Sequence, residues 1–208
     1  MELFTSPMAC SLAAHITAYE AGIPLEITYV DTRAKTTRDG RDYRAIAPNG
    51  YVPALKLDDG TLLNENPSVL QYLADRKPEA GLAPQWGDVR RYEVVDALNF
   101  LGTEVHKKIF SPLFAPAMPA EGKAYTMTAV RPTFDALVRR LGERDYLVGD
   151  RFTIADAYLL AMLNWCPFVA IDLSAWPKLV AYQKLHLARP AVVKAIAEEM
   201  AERARRAA

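Results

Sequence analysis

The chain has 208 residues, 51% of them hydrophobic, which is enough for a sizeable core and argues against disorder. Its 25 Lys and Arg balance its 25 Asp and Glu, so no bulk attraction to nucleic acid or to an anionic membrane surface is implied. Two cysteines, Cys10 and Cys166, make no disulfide framework and fit a reducing compartment. The start lacks the basic stretch of a signal peptide, and the apolar run from Ala157 to Ile171 contains Pro167 and is shorter than the roughly 20 residues of a membrane span. These features read as a soluble cytoplasmic protein.

In chain order, Glu2 to Thr5 is a short strand, and Leu12 to Ala21 is a helix stopped by Gly22. Leu25 to Val30 is rich in β-formers and predicts a second strand, parallel to the first across the intervening helix. A charged loop from Asp31 to Asp42 carries Arg33, Lys35 and Arg38, and a short helix follows over Arg41 to Ala47. Pro48-Asn49-Gly50 is a turn. Val52 to Leu57 alternates as a strand that begins at Pro53, and Asp58-Asp59-Gly60 turns it back into Thr61 to Asn64. Asn66-Pro67 starts a helix, with Asn66 expected as its N-cap and an end near Arg76.

The stretch 78–87 holds Pro78, Gly81, Pro84 and Gly87 and predicts a linker between residues 1–77 and residues 88–208. Beyond it the pattern is helical throughout. Val89 to Phe110 is one long helix with Val94, Leu98, Leu101, Val105 and Ile109 as its apolar stripe. A second spans Glu121 to Arg144. Thr153-Ile154-Ala155-Asp156 resembles a capping box and opens a helix that is apolar nearly all round, as a buried central helix must be. Trp176 to Leu187 and Pro190 to Arg205 are two more.

Cys10 is the residue that most suggests chemistry. It stands where the first helix begins, and unpaired N–H groups with the helix dipole lower a thiol pKa there. Such a thiol serves as a nucleophile or faces a thiol-bearing ligand; a buried structural cysteine is the plainer alternative. On the long helix, Asn99, Thr103 and His106 recur at helical spacing with Lys107 beside them, away from the apolar stripe. They are placed to line a cleft. His15 reads as a helix-packing residue, His186 as a surface residue and Cys166 as core, and no His, Cys and Asp spacing suggests a metal site.

Several segments, in this order and spacing, resemble the cytosolic glutathione S-transferases, and within them the bacterial beta class. They are Ser6-Pro7 with Ala9-Cys10-Ser11-Leu12, Lys35, Asn49 to Leu55, Asp58 to Leu63 leading to Glu65, Gln71 to Asp75, His106-Lys107, and the Thr153 to Asp156 cap. The resemblance covers almost the whole chain. It implies a thioredoxin-like α/β N-terminal domain followed by an all-α helical domain, with Pro53 in the cis form. It implies glutathione as cosubstrate, a small apolar electrophile as second substrate, no metal, and a homodimer whose cleft lies between one subunit's small domain and the other's helices. Glu65 and Asn66 would take the γ-glutamyl end, Val52 the cysteinyl backbone and Lys35 the glycyl carboxylate. Cys10 and His106 would be the catalytic pair, Cys10 facing the ligand sulfur and His106 polarising the thiol or stabilising developing charge, with Lys107 beside them, and Asn99 would reach the ligand at the dimer cleft. Phe110, Phe114, Met118, Tyr125 and Trp165 are candidates for an apolar wall.

The chain departs from that pattern at three places. Thr5 stands where relatives often carry an aromatic, Met8 where they often carry Gly, and Asn66 where Ser is usual. Two further functions share the same residues. One is a monothiol disulfide oxidoreductase or peroxidase, the only redox route open because no second cysteine lies near Cys10. The other is a non-catalytic module that binds glutathione or another ligand.

Overall fold

The computed structural model describes residues 1–207. Its five-stranded sheet runs in the order β3-β2-β1-β4-β5. β1 (Glu2–Thr5) and β2 (Glu26–Asp31) are parallel, with Leu3 opposite Ile27, and α1 (Leu12–Glu20) joins them. β4 (Ala54–Lys56) lies antiparallel to β1, and β5 (Leu62–Asn64) antiparallel to β4. The strand expected over Val52 to Leu57 is thus shorter, because Val52 and Pro53 stand before the ladder begins. β3 (Thr36–Thr37) was not anticipated. The charged loop folds back on β2 there, pairing Val30 with Thr37, before α2 (Tyr43–Ile46).

Alternation along β1 assigns the two faces of the sheet. Leu3 points into the main core with Leu12, Ile16 and Leu55, whereas Phe4 points into a small cluster with Val30, Tyr43, Ala47 and Ala54. α1 is buried continuously from Leu12 to Ala18, because the sheet lies on one side of it and helices α8 (Ile154–Leu163) and α10 (Pro190–Ala207) on the other. α3 (Asn66–Arg76) packs beside α1 on the same face through Val69, Leu70 and Leu73. One hydrophobic core therefore runs through both halves of the chain.

After the sheet the described residues are helical, turn or irregular. The rod expected from Val89 to Phe110 is present, but it changes winding. α4 (Val89–Phe100) passes into a π-helical segment, Leu101–Phe110, and then into α5 (Ser111–Phe114). The Ser111 N–H bonds the His106 carbonyl, the i→i+5 pattern of that segment, which widens the helix where its polar residues face the sheet domain. The helix expected over Glu121 to Arg144 is two, α6 (Ala120–Thr128) and α7 (Val130–Leu141), parted at Ala129. Pro132 explains the break: it has no N–H for the Thr128 carbonyl and its ring crowds that group. α8 has the expected capping box between Thr153 and Asp156 and is buried along its whole length. Asp156 also accepts from Leu147 N at 2.7 Å and Tyr182 Oη at 2.8 Å. α9 (Pro177–Leu187) carries His186, which is buried rather than at the surface; its Nε2–H donates to the Asp145 carbonyl at 2.7 Å. No helix among the described residues is long and apolar enough to cross a membrane.

Candidate active site

The site is built on the loop between β1 and α1. Its rear is tied down by buried groups. Thr5 Oγ1 lies 2.8 Å from Ser11 Oγ and 3.3 Å from Glu199 Oε1, and the Ser6 N–H donates to Ser11 Oγ at 3.2 Å. Met8 adopts a left-handed backbone with φ of 60°. Its N–H donates to Glu199 Oε2 at 2.6 Å, and its carbonyl accepts from Trp165 Nε1 at 2.8 Å. Glu199 also meets His15 Nδ1 at 3.2 Å. The two unusual residues of the loop thus share one fully buried carboxyl group contributed by α10. Thr5 supplies the hydroxyl that meets Glu199 and Ser11, and Met8 takes a conformation that glycine adopts more readily.

Cys10 is half-buried at the front of this loop, one residue ahead of Ser11, the N-cap of α1. Its Sγ donates to the Val52 carbonyl at 3.2 Å, and its own carbonyl accepts from Asn66 Nδ2 at 3.0 Å. The expectation of a lowered thiol pKa is overturned. Burial pushes the Cys10 thiol up to about 12, against the smaller opposing pulls of Lys107 and of the backbone N–H groups of Cys10 and Ser11. Loss of solvation outweighs the helix start.

Val52 precedes a cis bond to Pro53. Glu65 has φ of 65° and occupies the N-cap position of α3, so Asn66 is the first helical residue and not the cap. The shift matters, because the Asn66 side chain turns inward to bond the Cys10 carbonyl; it is 4% exposed, and its Oδ1 has no partner. Lys35 also has a left-handed backbone, and its Nζ donates to the Gly50 carbonyl at 2.8 Å. A Cβ on Gly50 would stand 3.0 Å from Lys35 Cδ, so glycine is what lets this lysine lie flat here.

From the helical domain, His106 Nδ1 hydrogen-bonds Tyr158 Oη at 2.8 Å. Burial and the neighbouring Lys107 bring the His106 pKa down to about 4, so its ring is neutral at pH 7. Tyr158 was not anticipated as a site residue. A tyrosine in an otherwise apolar helix signals a hydroxyl that needs a partner, but not which partner. Tyr51 was missed as well: it is 67% exposed, with Lys35 Nζ 5.6 Å and Lys107 Nζ 5.5 Å from its ring centre.

These groups line two adjoining hollows. The inner one, of about 220 Å³, has Cys10, Val52, Glu65, Asn66, Asn99, His106, Lys107 and Tyr158 in its wall. The outer one, of about 680 Å³, shares Cys10, Val52, His106 and Lys107 and adds Lys35, Phe114 and Trp165. All eight residues expected at the site thus border one of the two. The inner hollow lies between the sheet domain and the long helix of the same chain, and Asn99 of that helix is in its wall. Phe114 and Trp165 line the outer hollow as an apolar wall, with Phe110 buried behind them. Met118 and Tyr125 lie outside both walls, and Tyr125 is among the exposed residues of α6. Among the described residues no group of three or more His, Cys, Asp or Glu side chains could hold a metal ion.

Comparison with known proteins agrees with this geometry. Residues 7–76 match the family model of the glutathione S-transferase N-terminal domain, and residues 104–190 that of the C-terminal domain. Glutathione S-transferase GstA of Escherichia coli O157:H7 is 40% identical over 199 residues, covering 96% of this chain and 98% of that one. A sphingomonad glutathione S-transferase complexed with glutathione superposes with a TM-score of 0.92 at 46% identity, covering 96% of this chain and 98% of that one. The beta-class glutathione S-transferase of Sphingomonas chungbukensis gives a TM-score of 0.92 at 44% identity over the same shares. With both halves matched and a curated relative aligned nearly end to end, this chain belongs to the glutathione S-transferase family.

Proposed function

We propose that the protein is a glutathione transferase, in which the sulfur of bound glutathione attacks a small electrophile and forms a thioether. One observation carries the reading: a single cleft gathers the Val52 backbone just ahead of β4, carboxylate and amide acceptors at Glu65 and Asn66, and Cys10, His106 and Lys107. Residues 1–77 serve as the glutathione domain and residues 88–208 as the helical domain that closes over it. The orphaned Asn66 Oδ1, next to Glu65, suits a ligand ammonium, and the Asn66 N–H at the start of α3 suits the carboxylate beside it. The Val52 backbone pairs with the cysteinyl unit as an added strand would. Lys35 reaches the glycyl carboxylate from its perch on Tyr51.

In this reading Cys10 is a donor. With a pKa near 12 it holds its proton at pH 7. When the ligand N–H takes over the Val52 carbonyl, the Cys10 S–H is released to face the ligand sulfur. There it and the Lys107 charge favour the thiolate of glutathione. His106, neutral and held by Tyr158, fixes the wall between the two hollows. Pre-positioning sulfur and electrophile removes the orientational cost of a two-body encounter. With an aryl chloride, a C–S bond forms, the C–Cl bond breaks, chloride leaves, and the thiol proton passes to solvent. The protonated Cys10 weighs against the monothiol oxidoreductase, which needs a thiolate at that position. A homodimer and a cytoplasmic setting complete the proposal; exposed Trp86, Val89 and Tyr92 at the start of α4 offer an apolar face for a second copy.

The test is conjugation of glutathione to 1-chloro-2,4-dinitrobenzene, followed by absorbance. Conjugate should form above the uncatalysed rate and persist in Cys10→Ser. No catalysis with this or a broad panel of electrophiles, alongside tight glutathione binding in calorimetry, would favour the non-catalytic module.

A further inference from the structure

The outer hollow has a charge balance unlike that of the chain. Overall the 25 basic and 25 acidic residues cancel. Yet Arg33, Lys35, Lys107 and Arg203 line this hollow, and no aspartate or glutamate does. Glu199, near as it is, bonds Met8 from behind the loop and does not reach the cleft. Two of the four cations are spoken for. Lys35 and Lys107 flank Tyr51 at the boundary with the inner hollow, where glutathione brings carboxylates of its own. Arg33 and Arg203 are not. Among the described residues neither makes a salt bridge, although their neighbours Arg38, Arg205 and Arg206 all pair with Glu202.

The walls between them are aromatic and open. Phe114 is 44% and Phe168 58% exposed, and Trp165 joins Phe114 at 5.7 Å between ring centres. The Arg203 guanidinium stands 5.2 Å from the Phe168 ring centre, which ties the cation to the aromatic surface. Exposed aromatic faces cost free energy in water and are covered by an apolar ligand body. Cations that form no salt bridge raise the local concentration of anions in a walled cleft, even with the Asp31 carboxylate close enough to feel the Arg33 charge. A ligand that satisfies both conditions has a flat apolar ring and a carboxylate or sulfonate.

We propose that the outer hollow selects aromatic electrophiles bearing a negative charge, with Arg203 and Arg33 as the residues that set this preference. The proposal rests on the transferase reading and narrows its second substrate from an apolar electrophile to an aromatic organic anion. The reaction is unchanged: sulfur of glutathione attacks the ring carbon that carries the halide, the C–S bond forms, halide leaves, and the distant carboxylate takes no part.

The experiment compares 4-chloro-3-nitrobenzoate with its methyl ester. Each kcat/KM is divided by the uncatalysed rate constant of the same compound with glutathione, which removes the difference in ring activation. The corrected ratio of acid to ester should exceed unity by about five- to tenfold at low salt and shrink as ionic strength rises. In the double variant R33Q/R203Q it should fall towards unity, and R33K/R203K should restore most of it. An ester handled as well as the acid, or a ratio that both Gln substitutions leave intact, overturns the proposal while the transferase reading stands. Quenching of tryptophan fluorescence by the two compounds gives an independent arm if neither is conjugated. Tighter binding of the acid, lost in R33Q/R203Q, would keep the charge selectivity and remove the transferase reading; equal binding would remove the selectivity too.

Discussion

Arg91 and Glu199 both lie fully buried in the helical domain, and both reach across to the sheet domain. Arg91, on α4, donates to Asp75 at 2.7 and 3.1 Å and to the Pro84 carbonyl at 3.1 Å, with its guanidinium 4.3 Å from the Trp86 ring centre. Its partner stays in touch with solvent, since the Asp75 side chain is 41% exposed. Glu199, on α10, has a side chain with no solvent exposure, and it holds the Met8 N–H, Thr5 and His15. The first contact joins one helix to the next, outside the walls of both hollows. The second grips the very loop that presents Cys10. A buried charged group thus serves attachment in one place and the shape of a reactive loop in the other, and the distinction can be tested.

The sharpest separation is in the reactivity of Cys10. With its pKa near 12, its thiolate fraction at pH 7 is about a thousandfold below that of an ordinary cysteine of pKa 9. Alkylation by iodoacetamide should be slow to match and should quicken about tenfold per pH unit up to pH 10. Glu199→Ala, by loosening the loop, should speed alkylation at pH 7 well above wild type, whereas Arg91→Met should leave it slow. Equal rates in the two variants would erase the contrast.

Stability comes next. Glu199→Ala leaves the Met8 N–H and His15 without their buried partner, and should cost about 3–5 kcal/mol in chemical denaturation together with glutathione affinity. Arg91→Met keeps the apolar stem and frees a carboxyl group that can rehydrate. It should cost only about 1–3 kcal/mol and leave the specific activity of the folded enzyme unchanged.

A smaller effect separates the cleft wall from both ties. The His106 pKa is lowered from 6.5 to about 4, so between those values the unfolded chain binds a proton that the folded chain refuses. That contribution to stability is complete above pH 6.5 and is lost as pH falls towards 4. The denaturation midpoint should therefore drop over that window, and less steeply in His106→Asn. Burial lowers the pKa of His186 in the same direction, so the single variant should remove part of the slope and not all of it.

Much of this could be read from residue pattern, and the failures share a cause. Apolar periodicity located most strands and helices, though not β3 or the break at Ala129, and the Thr153 to Asp156 cap was plain because all its parts lie within four residues. Cys10, Val52 and His106 were found from local position and family resemblance. The misses were matters of tertiary surroundings. Whether a helix-start thiol is activated depends on how much water the helical domain excludes, which no local pattern records. Asn66 lost its capping role to a side-chain bond with Cys10, 56 positions away, and Glu199 acts on residues 191 and 194 positions away. Pro132 was visible, but its cost to a helix is felt one turn earlier, at the Thr128 carbonyl.

Met8 isolates the subtlest of these effects. Its left-handed backbone is disfavoured for any residue with a Cβ, by about 1–2 kcal/mol, and the Glu199 bond to its N–H helps hold it there. Met8→Ala and Met8→Gly both remove the side chain that packs against the core, so their lost contacts cancel in comparison. Alanine keeps the backbone penalty; glycine escapes it but brings a more flexible unfolded chain, which returns up to about 1 kcal/mol. Glycine should therefore be the more stable of the two by about 0.5–1 kcal/mol, read as a shift in denaturant midpoint at constant slope. If alanine equals or exceeds glycine, the loop has relaxed to another conformation, and the carboxyl group behind it is not what holds residue 8 in place. Repeating the pair in the Arg91→Met background should give the same difference, since that contact does not touch the loop.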